Sequence, residues 1–378
     1  MDFSLTEEQD MLKRAARDLL STHCNTGLVR EMEEAGRYAQ PLWSQLADLG
    51  WLGVGIPEEG GGAGGTVFDQ MLVAEEMGRA LAPIPYASSS VIAATALAGT
   101  GDAAVMKDWL TPIATGARIG TLAVAEPESH WDLDTVSLAA TKDGDGYTLS
   151  GVKLFVLDGI FADDIIVVAR DGAGDDGLVL GIVAPDASGV QVSRMLTIAG
   201  GGQAAIRFEG AALPAGRVLA RGKVLRTAVE EALNRGRLIL AAHMLGAADV
   251  AMQMSVDYAQ DRVQFGRPIG SFQAIQHKLA TMMKELESAR ALLYTAAWRH
   301  ALGTGDDVQV AMAKAWMNDT SERTLWEAHQ IHAGVAYMME FDLQLFTRRC
   351  KSWELLLGDT HDQRRKVGDH IAATAAAV

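Results

Sequence analysis

The chain has 378 residues, 49% of them apolar, and a net charge of −15 from 33 basic and 48 acidic side chains. That length exceeds one compact core and fits two or three domains, and the acidic balance excludes non-specific binding to nucleic acid or to an anionic membrane surface. Its two cysteines, Cys24 and Cys350, have no CxxC spacing, so neither a disulfide framework nor a metal site is expected.

The opening "MDFSLTEEQD" lacks the apolar core of a signal peptide, and a cytoplasmic protein is expected. From Leu5 to about Thr111 the period is helical. "LTEEQDMLKRAARDLL" aligns Leu5, Met11 or Leu12, Ala15 or Ala16 and Leu19 on one stripe, with Thr6 as N-cap and Gln9 three residues on. "QPLWSQLADLGWLGVG" reads as a second helix that starts near Pro41 and stops at Gly50, and "FDQMLVAEEMGRAL" as a third. Near Gly116 the pattern changes to short β-branched runs: "GTLAVAEP", "TVSLAATKDGDGYTLSGVKLFV", "DDIIVVAR", "GLVLGIVA", "GVQVSRM" and "AAIRFEG". Asp143-Gly144 and Asp145-Gly146 supply a hairpin turn, and the set reads as an antiparallel β-barrel or sandwich. After Pro214 four long helical segments follow, as in a four-helix bundle. The apolar run "LILAAHMLGAADVAM" within the first of these is broken by His243 and Asp249 and reads as too short for a membrane span. The expected class is α+β: an N-terminal helical domain (1–115), a central β domain (116–215) and a C-terminal four-helix bundle (216–378).

Three features invite a functional reading. "EEGGGAGGT" holds a formal G-x-G-x-x-G at Gly60, Gly62 and Gly65, but no buried strand precedes it and no βαβ unit surrounds it, so a surface loop is favoured over a dinucleotide fingerprint. His277, His329 and His332 lack metal-ligand spacing and read as structural. "DRVQFGRPIGSFQAIQHKLA" differs from a simple helix-joining bend: two arginines, two glutamines and an aromatic residue suit an extended anion with a base attached. Periodicity alone leaves both readings of that stretch open.

"RVQFGRPIGSFQAIQHKLA" closely resembles the signature of the acyl-CoA dehydrogenase family, as do "MDFSLTEEQ", "LGWLGVGIPEEGGG", "AEP", "DGDGYTLSGVKLFV" and "EAHQIHAGVAY". The resemblance runs over nearly the whole chain and implies a tetramer of the dimer-of-dimers kind, with FAD as cofactor and an acyl-CoA as substrate. In that family one subunit's β domain and bundle hold the flavin ring, and its neighbour holds the adenine and pyrophosphate. By resemblance Arg262, Gln264, Phe265, Gln273, Gln330 and Gly334 contact a neighbour's FAD, and Arg237 borders the acyl-CoA. Where the family has Gly-Gly, this chain has Ala333-Gly334.

The family reaction removes the α-proton with a carboxylate while the β-hydrogen leaves as hydride to the flavin. Matching Arg348, Lys351 and Gly358 to the family pattern puts Leu357 at the usual catalytic Glu, and the alternative base position falls on Gly236. Asp359, two residues on, is the remaining candidate base; Glu340 is better read as a structural polar residue. The flavin side departs too: Ala125 stands for a Thr, His130 and Trp131 for Gly-Ser, Phe155 for the stacking Trp and Leu157 for the Thr facing the flavin. The resemblance therefore leads to two expectations. The favoured one is a subunit of a heteromeric α2β2 acyl-CoA dehydrogenase, of the kind acting on bulky steroid-type thioesters, that clamps a homologous partner's FAD. The other is a self-sufficient homotetramer using Asp359. A third, remote option is other flavin chemistry. An electron-transferring flavoprotein is the acceptor the family implies, with no nucleic acid or membrane partner.

Overall fold

A computed structural model describes residues 5–128 and 131–376. By its internal contacts the chain divides into two compact units, one of Met1–Arg30, Val67–Ala82 and Arg237–Val378, the other of Glu31–Thr66 and Pro83–Gly236. By this division Glu7–His23 and Val67–Ala80 fall in the first unit and Gln40–Asp48 in the second.

The helices before the sheet are α1 (Glu7–His23), α2 (Thr26–Ala35), α3 (Gln40–Asp48), α4 (Val67–Ala80), α5 (Ala94–Ala98, continuing a π-helical stretch Tyr86–Ala93), and the short α6 (Ala103–Val105) and α7 (Thr111–Ala114). Thr6 caps α1 as its sequence predicts: its hydroxyl accepts from Gln9 N, and the Gln9 side chain accepts from Thr6 N. α2, which buries only Val29, went unread in the sequence.

The second unit carries one mixed sheet. Its strands are β1 (Gly120–Ala123), β2 (Ala139–Asp143), β3 (Gly146–Val156), β4 (Asp164–Arg170), β5 (Leu178–Val183), β6 (Val190–Arg194), β7 (Ala204–Leu213) and β8 (Val218–Arg221), in the order β6-β7-β3-β2-β4-β5-β8 with β1 on β4. The expected hairpin forms between β2 and β3, where Asp143 pairs with Gly146 across Gly144-Asp145. Neighbours are otherwise antiparallel, but β1 runs parallel to β4, as does the single β2–β4 pairing at Ala139 and Arg170. The all-antiparallel expectation fails at β1 because a whole hairpin separates it from β4, so no tight turn dictates its direction. Leu149, Val156, Ile165, Val167, Ile206 and Phe208 form the core under this sheet.

Past the sheet come α8 (Gly222–Asp261), the two-stranded ribbon β9 (Val263–Gln264) and β10 (Arg267–Pro268), then α9 (Gln273–Ala301), α10 (Asp307–His332), α11 (Leu343–Leu355) and α12 (Thr360–Ala376). α12, a fifth long helix, exceeds the four expected. α8 is also longer and more apolar than read: it contains an 18-residue window of mean hydropathy 1.3, enough by length and composition to cross a bilayer. Yet 72% of that window is buried in protein, which accounts for its apolarity as a core helix.

In the first unit α4 and α8 touch backbone to backbone. A Cβ on Gly78 would lie 2.1 Å from His243 O, and one on Gly246 would lie 1.9 Å from Glu75 O. Beside this contact the buried Glu75 meets Lys13 Nζ at 2.7 Å and the Tyr294 hydroxyl at 2.6 Å, with Arg290 also paired to it. Burial alone would raise its pKa, but the Lys13 and Arg290 charges outweigh that and hold it below the ordinary carboxylate value.

Candidate functional site

The turn between α11 and α12, in the first unit, is built around a backbone that side chains hold from within. Leu357 is buried (2% exposed) and stands at φ +60°, and Gly358 follows at φ +104°. A leucine in the left-handed region costs about 1–2 kcal/mol, so something must hold it there. The buried Arg237 of α8 donates from Nε to Leu357 O at 2.9 Å, and Gln363 of α12 donates from Nε2 to the same oxygen at 3.1 Å. A Cβ on Gly358 would lie 2.2 Å from Gln363 Nε2 and would displace that side chain from the Leu357 carbonyl. Arg237 and Gln363 thus converge on one carbonyl, that of Leu357, whose own side chain is apolar.

Asp359 is half-buried, and its carboxylate faces its own helix. Oδ1 accepts from Asp362 N at 2.9 Å, and its carbonyl accepts from Gln363 N at 3.0 Å, so Asp359 is the N-cap of α12. Behind the turn, Lys314 of α10 is fully buried and donates to Trp353 O, Glu354 O and Asn318 Oδ1. Burial lowers it to about 7. Glu354 is buried as well; burial raises its pKa even though Lys351 Nζ lies 2.9 Å away. His243, stacked on Trp353 at 5.0 Å, is lowered by burial to about 3 and stays neutral at physiological pH.

On the same unit the residues predicted to face a nucleotide are all exposed: Arg262, Gln264, Phe265, Gln273, Gln330 and Gly334. β9 and β10 form a ribbon whose two-residue loop, Phe265-Gly266, has φ +55° and +80°. Phe265 is 93% exposed in this left-handed position, so it is both strained and solvated, a combination that points to a partner. The Arg267 guanidinium lies 4.1 Å from the centre of the Phe272 ring, which steadies the ribbon against the start of α9. Gly334 is open, with nothing within 4 Å of a Cβ placed on it. Ala333 stands at φ +54°, ψ −136°, a region that belongs to glycine. Nearby, Trp326, His329, Tyr337, Thr347 and Lys351 line an apolar groove of about 420 Å³.

On the second unit, Lys153 is fully buried and donates to Glu126 Oε1 at 2.6 Å and to Val124 O at 2.8 Å. Glu126 in turn accepts from Ser137 and Leu138, fixing the "AEP" segment to the strand start. Burial lowers Lys153 to about 8 against the pull of Glu126. Phe155 is 43% exposed at φ +53°, Leu157 O accepts from the Thr121 hydroxyl at 2.6 Å, and Asp158 accepts from the buried Ser88 hydroxyl at 2.6 Å. Ala125 is buried; His130 lies outside the described residues. The Gly60–Gly65 loop is no anion cradle, because the amides of Gly60, Gly61, Gly62, Ala63, Gly64 and Gly65 all donate to nearby backbone carbonyls. It borders a cavity of about 510 Å³ shared with Thr95, Ala98, Glu231 and Arg235.

Residues 6–117, 121–211 and 226–372 match the N-terminal, middle and C-terminal domains of acyl-CoA dehydrogenases. The chain belongs to the acyl-CoA dehydrogenase family. It is 30% identical over 372 residues to the probable acyl-CoA dehydrogenase YngJ of Bacillus subtilis, covering 96% of this chain and 98% of that protein. Butyryl-CoA dehydrogenase of Megasphaera elsdenii superposes with a TM-score of 0.91 at 29% identity over 98% of this chain and 100% of that one. A chain of the ChsE4–ChsE5 complex of Mycobacterium tuberculosis superposes with a TM-score of 0.90 at 30% identity over 98% and 99%.

This acyl-CoA dehydrogenase is therefore an oxidoreductase acting on an acyl-CoA, with FAD as cofactor. The exposed donors of the β9–β10 ribbon and the open backbone at Gly334 fit a dinucleotide's phosphates and base. Sequence reading missed Lys314, Lys153 and Gln363. The signal for Lys314 was a lone cation inside the apolar run "VAMAKAWM", which reads as a snorkelling residue until the acceptors behind it are known.

Proposed function

We propose that this chain is the accessory subunit of a heteromeric acyl-CoA dehydrogenase, lending Arg262, Gln264, Phe265, Gln273, Gln330 and Gly334 to an FAD whose flavin ring a homologous partner holds. The observation that carries this reading is the turn at Leu357. Its backbone is held in a strained shape by Arg237 and Gln363, and it carries an apolar side chain at the position that the resemblance matches to the family's base. When bound, FAD supplies a two-electron acceptor for the β-hydrogen of the thioester. This chain's contribution is binding: guanidinium and amide donors toward the phosphates, and a solvated aromatic ring for the base to cover. The likeness to a chain of the ChsE4–ChsE5 complex supports a heteromeric arrangement. An electron-transferring flavoprotein is the acceptor this reading expects.

The second reading, a homotetramer with Asp359 as base, draws on one observation: Asp359 is a half-buried carboxylate two residues from Leu357. Asp359→Asn separates the two readings, because asparagine caps a helix as well as aspartate and leaves α12 in place. In the accessory reading the variant, assembled with its partner, keeps its turnover. A loss of turnover of about a hundredfold or more, with the flavin spectrum intact, would establish Asp359 as the base and end the accessory reading.

A further inference from the structure

We propose that Lys314 is a positioning residue: its buried amino group fixes the end of α11 and, through it, the place of Leu357 and Asp359. Lys314 Nζ lies 3.1 Å from Trp353 O, 3.0 Å from Glu354 O and 2.7 Å from Asn318 Oδ1. Three acceptors surround the amino group, and two of them are carbonyls that the end of a helix leaves without an intrahelical partner. Lys314 and Asn318 are four residues apart on α10 and both fully buried, so one rigid helix carries donor and acceptor together.

Only Leu355 and Leu356 separate Glu354 from Leu357, whose carbonyl Arg237 and Gln363 hold. The segment is therefore tied at both ends by donors from α8, α10 and α12. A methionine would span the same distance as Lys314 without the cost of desolvating an amine, so packing alone does not account for the residue. Burial brings the amine to about 7; the charges that face it are Glu354 from α11, Asp359 from the turn and Arg237 from α8. The inference rests on the reading that this turn belongs to the functional site. Its test uses neither flavin nor turnover, so either can fail without the other.

The experiment is hydrogen–deuterium exchange of residues 353–363 in the full chain at pH 6 and pH 9, corrected for intrinsic exchange rates. Opening of the turn hydrates Lys314 and lets it take up a proton, so protection in the unaltered chain rises by about tenfold or more from pH 6 to pH 9. Lys314→Met loses protection at both pH values and abolishes the rise. Asn318→Asp places a carboxylate beside Nζ, returns the amine toward its ordinary pKa and shrinks the rise to about twofold. A rise that persists in Lys314→Met, or that Asn318→Asp leaves unchanged, overturns the proposal. Should Lys314→Met fail to fold, the near-isosteric Asn318→Asp decides alone.

Discussion

Leu357, Phe265 and Ala333 carry side chains at φ +60°, +55° and +54°, in backbone regions that L-residues avoid. Each lies in a segment that the family resemblance ties to the cofactor or the base. Strain of this kind persists only where surrounding structure fixes it, and at Leu357 the fixing groups are Arg237 and Gln363. Ala333 makes a cleaner test, because its ψ of −136° excludes the left-handed helical minimum. Ala333→Gly should stabilise the chain by about 1 kcal/mol, read as a higher urea midpoint at unchanged m-value. An unchanged or lower midpoint would mean that the methyl group makes contacts that offset the strain. These conformations are not legible in the sequence: nothing in "IHAGVAY" says that the alanine, rather than the glycine after it, takes the positive φ. The apolar side chain of Leu357, by contrast, is plain in the sequence, and matching Arg348, Lys351 and Gly358 to the family pattern is what implies that it stands at the base position.

At the scale of elements, α4 against α8 shows how close contact rather than an apolar stripe sets the packing. Gly78 and Gly246 let the two backbones meet, and Glu75, Lys13, Arg290 and Tyr294 form a buried charged cluster next to that contact. Gly246→Ala drives a methyl group into Glu75 O, a backbone atom that cannot rotate away. The expected cost is about 3 kcal/mol, measured by urea denaturation; a loss under about 1 kcal/mol would show that the helices separate freely and that the contact does not fix α4. Sequence patterning located α1, α3, α4 and most of the long helices after the sheet from their apolar spacing, helped at α1 by its capping box. It lost α2, which buries one side chain, and the parallel β1, whose direction is set by tertiary pairing. It also undercounted the final helices, because α12 carries its helical signal in an Asp359 cap that looked like a candidate base.

For the whole molecule, two fully buried amines give stability a pH dependence of definite sign. Lys314 is lowered to about 7 and Lys153 to about 8, both by burial, from the ordinary value of 10.5. Between those values and 10.5 the unfolded chain binds protons that the folded chain does not, so stability rises with pH. The rise should approach about 1.4 kcal/mol per pH unit for each lysine that is neutral when folded. Burial raises the Cys24 thiol to about 11, so ionisation of that thiol in the unfolded chain makes the rise shallower above pH about 9. Urea unfolding at pH 7 and pH 8.5 should therefore show a more stable chain at the higher pH, and Lys153→Met should reduce the difference. A flat or falling profile would mean that both amines keep their protons inside the fold.

The same whole-molecule scale carries the central claim, that a chain with an intact outer contact strip and an altered flavin side serves another subunit's FAD. Flavin content per chain, measured for the protein expressed alone from flavin absorbance against protein absorbance, tests it most directly. The account predicts a folded protein with well under one flavin per chain. About one flavin per chain would contradict it, and would make this chain a holder of its own cofactor.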